Sequence, residues 1–152
     1  MNPRLQLKRN KEAQQLIKAL HKVAQSKVEL MFLDETTHSQ MGKLNAWSHV
    51  NKPIIMENIR FARNISVLAI MNIDGIVYWE QQDHYFSLEE LIAFLKRFKK
   101  QLPQNKKVAL LMDNLGIHRN IKTIQYIKRQ DWQVVFNEAH QPNQNPIERI
   151  FA

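Results

Sequence analysis

The sequence predicts an α/β fold: one mixed sheet, an antiparallel three-strand meander plus two parallel strands, with helices on both faces. Three observations carry that prediction. Short, largely apolar runs are bounded by polar residues, as expected of strands buried on both faces. An Asp-Gly pair joins two of them as a hairpin. Stretches with helical spacing then alternate with the remaining strands, the pattern of crossover units in a layered sheet.

Taken in order, residues 11–25 place Ala13, Leu16, Ile17, Leu20 and Ala24 at helical spacing, and residues 1–26 together read as a leading basic helix. Val28 to Leu33 is a buried strand expected to end at Asp34-Glu35. Residues 45–50 read as a short edge strand, which Pro53 keeps from extending. Ile65 to Met71 is a stronger strand, Asp74-Gly75 its turn, and Ile76 to Trp79 the return.

Ser87-Leu88-Glu89-Glu90 has the form of a capping box. The helix it opens carries Leu88, Leu91, Ile92, Leu95 and Phe98 on one side and stops before Pro103. Lys96, Arg97, Lys99 and Lys100 on its other side are read as a solvated face rather than a phosphate-facing strip. Val108 to Met112 is another buried strand, ending at Asp113-Asn114. Helical spacing resumes through Ile117, Ile121, Ile124 and Ile127, and residues 132–136 form the last strand. Asn145-Pro146-Ile147-Glu148 looks like a helix start, with proline at its first position.

Composition narrows the function. The chain has 152 residues, 44% hydrophobic and 24% charged, which suits one globular domain. It lacks cysteine, so disulfides and thiolate metal sites are excluded. No apolar run approaches the roughly 20 residues that span a bilayer, and the basic start leads into a polar stretch unlike a signal peptide. A cytoplasmic protein with no membrane partner is expected. The formal net charge of +8 favours a polyanionic partner, because each neutralised phosphate releases condensed counterions.

Against that basic background, Asp34 and Asp113 each follow an apolar run. If those strands are adjacent and parallel, both acids emerge at one sheet edge, where open α/β folds bind ligands. Glu148 could lie across that edge. Converging carboxylates repel unless cations neutralise them, and oxygen ligands without His or Cys favour Mg²⁺ or Mn²⁺. Two such ions about 4 Å apart would serve phosphodiester displacement. Taken singly, each Asp reads as a turn or cap residue, and Glu148 as a complement to its helix dipole.

Together the motifs Phe32-Leu33-Asp34-Glu35-Thr36, Met112-Asp113-Asn114 with His118, and Asn145-Pro146-Ile147-Glu148-Arg149 resemble the mariner-type superfamily of DDE transposases, in its bacterial insertion-sequence branch. Thirty-four residues separate Asp113 from Glu148, a spacing that superfamily shares. The resemblance covers nearly the whole chain. It implies a ribonuclease-H-like fold with Asp34, Asp113 and Glu148 as ligands of two metal ions, and double-stranded DNA as substrate. Water would nick the element's end, and the released 3′-hydroxyl would attack target DNA.

The resemblance further implies supporting roles for Glu35, Asn114, His118 and Asn145, a homodimer on paired ends, and nucleoid association when DNA is bound. Trp47 matches an aromatic position of relatives and is read as packing. Where relatives read Pro-Pro-x-Ser-Pro before the third acid, this chain has Glu138 to Gln144. Relatives also carry a helix-turn-helix region ahead of this domain and a longer last helix. The expectation is therefore a catalytic domain shortened at both ends. Two alternatives stand beside it: a ribonuclease-H-like nuclease that does not join strands, and an inactive fragment that only binds DNA.

Overall fold

A computed structural model describes residues 3–39, 64–138 and 145–151. The elements run α1 (Pro3–Ala24), β1 (Glu29–Ser39), β2 (Asn64–Asn72), β3 (Gly75–Gln82), α2 (Leu88–Gln101), β4 (Val108–Met112), α3 (Ile121–Arg129), β5 (Gln133–Phe136) and α4 (Glu148–Phe151). The five strands form one sheet in the order β3-β2-β1-β4-β5. β1 pairs antiparallel with β2 and β2 antiparallel with β3, whereas β1–β4 and β4–β5 are parallel. The predicted meander and two parallel strands are thus present. The expected strand at 45–50, with Trp47 and Pro53, lies outside the described residues.

Strand alternation sorts the core into two layers. Met31, Leu33, Leu68, Ile70, Val108, Leu110 and Met112 face Leu91, Phe94, Leu95 and Phe98 of α2 and Ile127 of α3. Phe32, Ala69, Met71, Ala109, Leu111 and Val135 face Leu16 and Val23 of α1, with Ile147 in the same layer. Every residue of β4 is buried, which explains why it reads as an uninterrupted apolar run. Among the described residues, no helix is long and apolar enough to cross a membrane.

Local chemistry fixes the boundaries. The Ser87 hydroxyl accepts from the Glu90 N–H, and the Glu90 carboxylate accepts from the Ser87 N–H at 2.8 Å, closing the expected capping box. In the β2–β3 turn the Asp74 N–H donates to Asn72 Oδ1, and Gly75 adopts φ +133°, a conformation that side chains rarely take. On α2, Arg97 forms a two-pronged ion pair with Glu80 of β3, its Nε and Nη2 both 2.6 Å from the carboxylate. The basic strip of α2 is exposed, as its reading as a solvated face requires.

Three expectations need correcting. The stripe of α1 that packs on the sheet is Leu16 and Val23, both buried, with Ala19 and Leu20 partly buried beside them, while Ile17 is 63% exposed. β1 does not stop at the acids: its pairing with β2 continues to Ser39↔Asn64, so Asp34 lies mid-strand. Ile117 precedes α3 rather than belonging to it. The Asn120 side chain accepts from the Lys122 N–H and starts the helix there.

Candidate active site

The parallel ladder of β1 and β4 ends at Leu33↔Met112. Asp34 and Asp113 are the next residues on each chain, so they emerge side by side where the two central strands part. By alternation Asp34 projects to the face that carries α1 and Ile147. Glu35 is turned to the opposite face, where its Oε1 accepts from the Phe86 N–H at 3.5 Å. An open cleft of about 600 Å³ runs along this edge, lined by Asp34, Glu35, Asp113, Tyr85, Phe86 and Leu115 among others.

Asp34 is only 5% exposed. Its Oδ1 accepts from the Glu35 N–H at 2.8 Å, and its Oδ2 accepts from Asn145 Nδ2 at 3.0 Å. Burial pushes its carboxyl up to about 7; the Glu35 hydrogen bond opposes that rise, while the charges of Asp113 and Glu148 add to it. Asp113 behaves oppositely. Burial alone would raise it, but His118 and the Leu115 N–H outweigh burial and hold it below the ordinary carboxylate range. The His118 ring is fully buried, with Nδ1 2.6 Å from Asp113 Oδ1, and Leu115 N donates to the same oxygen at 2.9 Å. His118 therefore packs beneath the acid instead of facing solvent.

Asn145 joins the third motif to the first. It is 1% exposed, and besides Asp34 its Nδ2 reaches the Leu33 carbonyl at 3.4 Å. Its main-chain carbonyl accepts from the Glu148 N–H at 3.2 Å, so one residue both braces Asp34 and turns the chain into α4. Ile147, fully buried, anchors that turn on the sheet. Glu148 comes near enough to raise Asp34 electrostatically. Among the described residues, however, no three acids or histidines are grouped closely enough to hold a metal ion together.

Asn114 extends the edge towards β5. Its Nδ2 donates to the Asn137 carbonyl at 2.7 Å, and its Oδ1 accepts from Arg119 Nε at 2.5 Å. Asn137 and Arg119 are not singled out by the sequence pattern. Asn137 carries a usable signal, since it follows β5 directly, as Asp113 follows β4. Arg119 carries none beyond its place beside His118.

A five-stranded mixed sheet with two acids at the parting of its central parallel strands defines a ribonuclease-H-like domain. A family model described as DDE superfamily endonuclease matches residues 29–152, and the chain belongs to that family. Among solved structures it resembles the catalytic domain of Mos1 mariner transposase, at TM-score 0.69 and 14% identity, covering 99% of this chain and 70% of that one. It also resembles a Mos1 transposase paired-end complex with the left transposon end, at TM-score 0.72 and 16% identity, covering 99% and 48%. A pre-cleavage Mos1 transpososome gives TM-score 0.70 and 14% identity, covering 97% and 47%. The chain thus spans about half the length of the transposase chains in those complexes. At such identities the likeness is one of fold. Among curated proteins no match is found.

Proposed function

We propose that this chain is the catalytic domain of a DNA transposase, cleaving phosphodiester bonds at transposon ends and joining the freed 3′-hydroxyl to target DNA. The observation that carries the reading is the juxtaposition of Asp34 and Asp113, one step past their last shared register pair, with Asn145 tying the Glu148 turn to Asp34. Solved relatives of this fold include Mos1 mariner paired-end complexes with Mn and with Mg. On that basis Asp34, Asp113 and Glu148 would hold Mg²⁺ or Mn²⁺, two ions in our reading.

The residues present fit such a cation. The donors are hard carboxylate oxygens, and Asp34 is a buried acid whose proton affinity is raised first by burial and then by the charges of Asp113 and Glu148. A bound divalent ion would supply Lewis acidity, lowering the pKa of water and polarising the scissile phosphate. The chain's own residues prepare the edge for it. His118 and the Leu115 N–H keep Asp113 ionised and fixed in direction. Asn145 holds Asp34 Oδ2, and the Glu35 N–H holds Oδ1. A homodimer acting on paired ends belongs to the same reading.

Thermal unfolding with and without Mn²⁺ tests it. At about 100 times its dissociation constant, Mn²⁺ should stabilise the unaltered chain by roughly 2.7 kcal/mol and leave Asp34→Ala unmoved. Incubated with supercoiled plasmid and Mn²⁺, the unaltered chain should nick it and Asp113→Asn should not. Nicking by Asp113→Asn at the unaltered rate would remove that residue from the site. Nicking without any joined product would leave a nuclease that does not transfer strands.

A further inference from the structure

We infer that Arg119 is a phosphate-binding residue, its guanidinium held at the catalytic edge to grip the DNA backbone; this rests on the transposase reading above. Asn114 sets the geometry. Its Nδ2 is committed to the Asn137 carbonyl at 2.7 Å, which orients the amide and turns Oδ1 outward. That oxygen accepts from Arg119 Nε at 2.5 Å. The guanidinium carbon lies 4.6 Å from the centroid of the Phe136 ring, so one flat face of the cation is covered. The Arg119 main chain is fixed as well, its N–H donating to the Leu115 carbonyl at 3.0 Å.

One edge and one face of an exposed arginine are therefore occupied, and among the described residues its two Nη groups have no hydrogen-bond partner. Among the described residues, no carboxylate lies within ion-pair distance of Arg119, and the first turn of α3 beside it carries no acid. This contrasts with Arg97, whose Nε and Nη2 both go to Glu80. An arginine that only braced the fold would be expected to satisfy its fork internally. A fork with its outer donors unspent matches a phosphodiester, whose two free oxygens accept in a bidentate manner. Its position is apt: the segment from Asp113 to Arg119 also carries His118, which bonds to the catalytic-edge Asp113. A backbone phosphate gripped here would lie on the β5 side of the edge, one segment away from the acids.

The test is the salt dependence of binding to a fluorescent DNA duplex, measured for the unaltered chain, Arg119→Gln, Arg119→Lys and Lys100→Gln, with unfolding temperatures alongside. Losing one phosphate contact makes the plot of log K against log salt shallower by about 0.9. Arg119→Gln should show that change and bind about tenfold more weakly, the fold-change of one charge-assisted hydrogen bond. Lys100→Gln, an equal charge loss on the exposed side of α2, should leave the slope unchanged. Arg119→Lys should keep the slope but bind more weakly, because a point charge replaces the held fork. An unchanged slope in Arg119→Gln, or an equal change in Lys100→Gln, overturns the assignment and leaves the transposase reading intact. Should the unaltered chain bind no duplex and nick no plasmid, the transposase reading fails and this inference with it.

Discussion

Asp34 and Asp113 are neighbours with opposite proton affinities. Asp34 rises to about 7, and Asp113 falls below its ordinary value because His118 and Leu115 serve its charged form. For Asp34 the folded chain retains a proton that the unfolded chain has already released above pH 3.8. The stability this provides is complete below that value and is lost as pH rises through about 7. A shift from 3.8 to about 7 corresponds to roughly 4 kcal/mol. Without divalent cations, Asp34→Asn should therefore melt higher than the unaltered chain at pH 8 and show a flatter pH profile from 4 to 8. A lower melting temperature for the variant at pH 8 would show that the Asn145 and Glu35 hydrogen bonds outweigh the cost of the charge. Both acids are legible in the sequence because each follows an apolar run. The Asn145 bond to Asp34 is not, because it spans 111 residues and only the folded sheet creates it.

Elements are legible where a local rule governs them. The Ser87–Glu90 box is such a case: four consecutive residues specify the start of α2, and the structure closes both of its hydrogen bonds. Ser87→Ala should cost about 1 kcal/mol, read as a lower denaturant midpoint with an unchanged slope. A changed slope would mean that the cap also shapes the unfolded ensemble. Boundaries set by distant partners are harder. The apolar run in β1 shows where the core ends, at Leu33, but β2 sets the end of the strand by pairing through Ser39. Ile117 keeps helical spacing with Ile121, yet the tie between His118 and Asp113 holds that segment as a turn, and Asn120 starts α3. In α1, Ile17 satisfies the apolar pattern, but the sheet selects Leu16, Ala19, Leu20 and Val23.

At the scale of the whole molecule, charge and topology act together. On the transposase reading, a chain of net charge +8 would hold the DNA backbone through its cations while the carboxylate edge takes the metal. If six phosphates are contacted, affinity should fall on the order of a thousandfold between 50 and 200 mM salt. A salt-independent affinity would contradict backbone binding. Neither the hairpin nor the crossovers, read singly, specify the strand order; adjacency of β1 and β4 rests on the parallel ladder from Glu29↔Val108 to Leu33↔Met112. That ladder has a consequence for how the chain tolerates insertions and deletions. Successive residues of a strand point to opposite faces, so one residue gained within β1 ahead of Asp34 would turn the acid into the α2 layer. Two gained residues would restore its face but carry it about 6.7 Å past Asp113. Loss of a single codon would be as damaging as loss of the carboxylate itself, even where the core closed again around it. In β1, the count of residues ahead of the acid is held by the pleat as firmly as the acid is held by its hydrogen bonds.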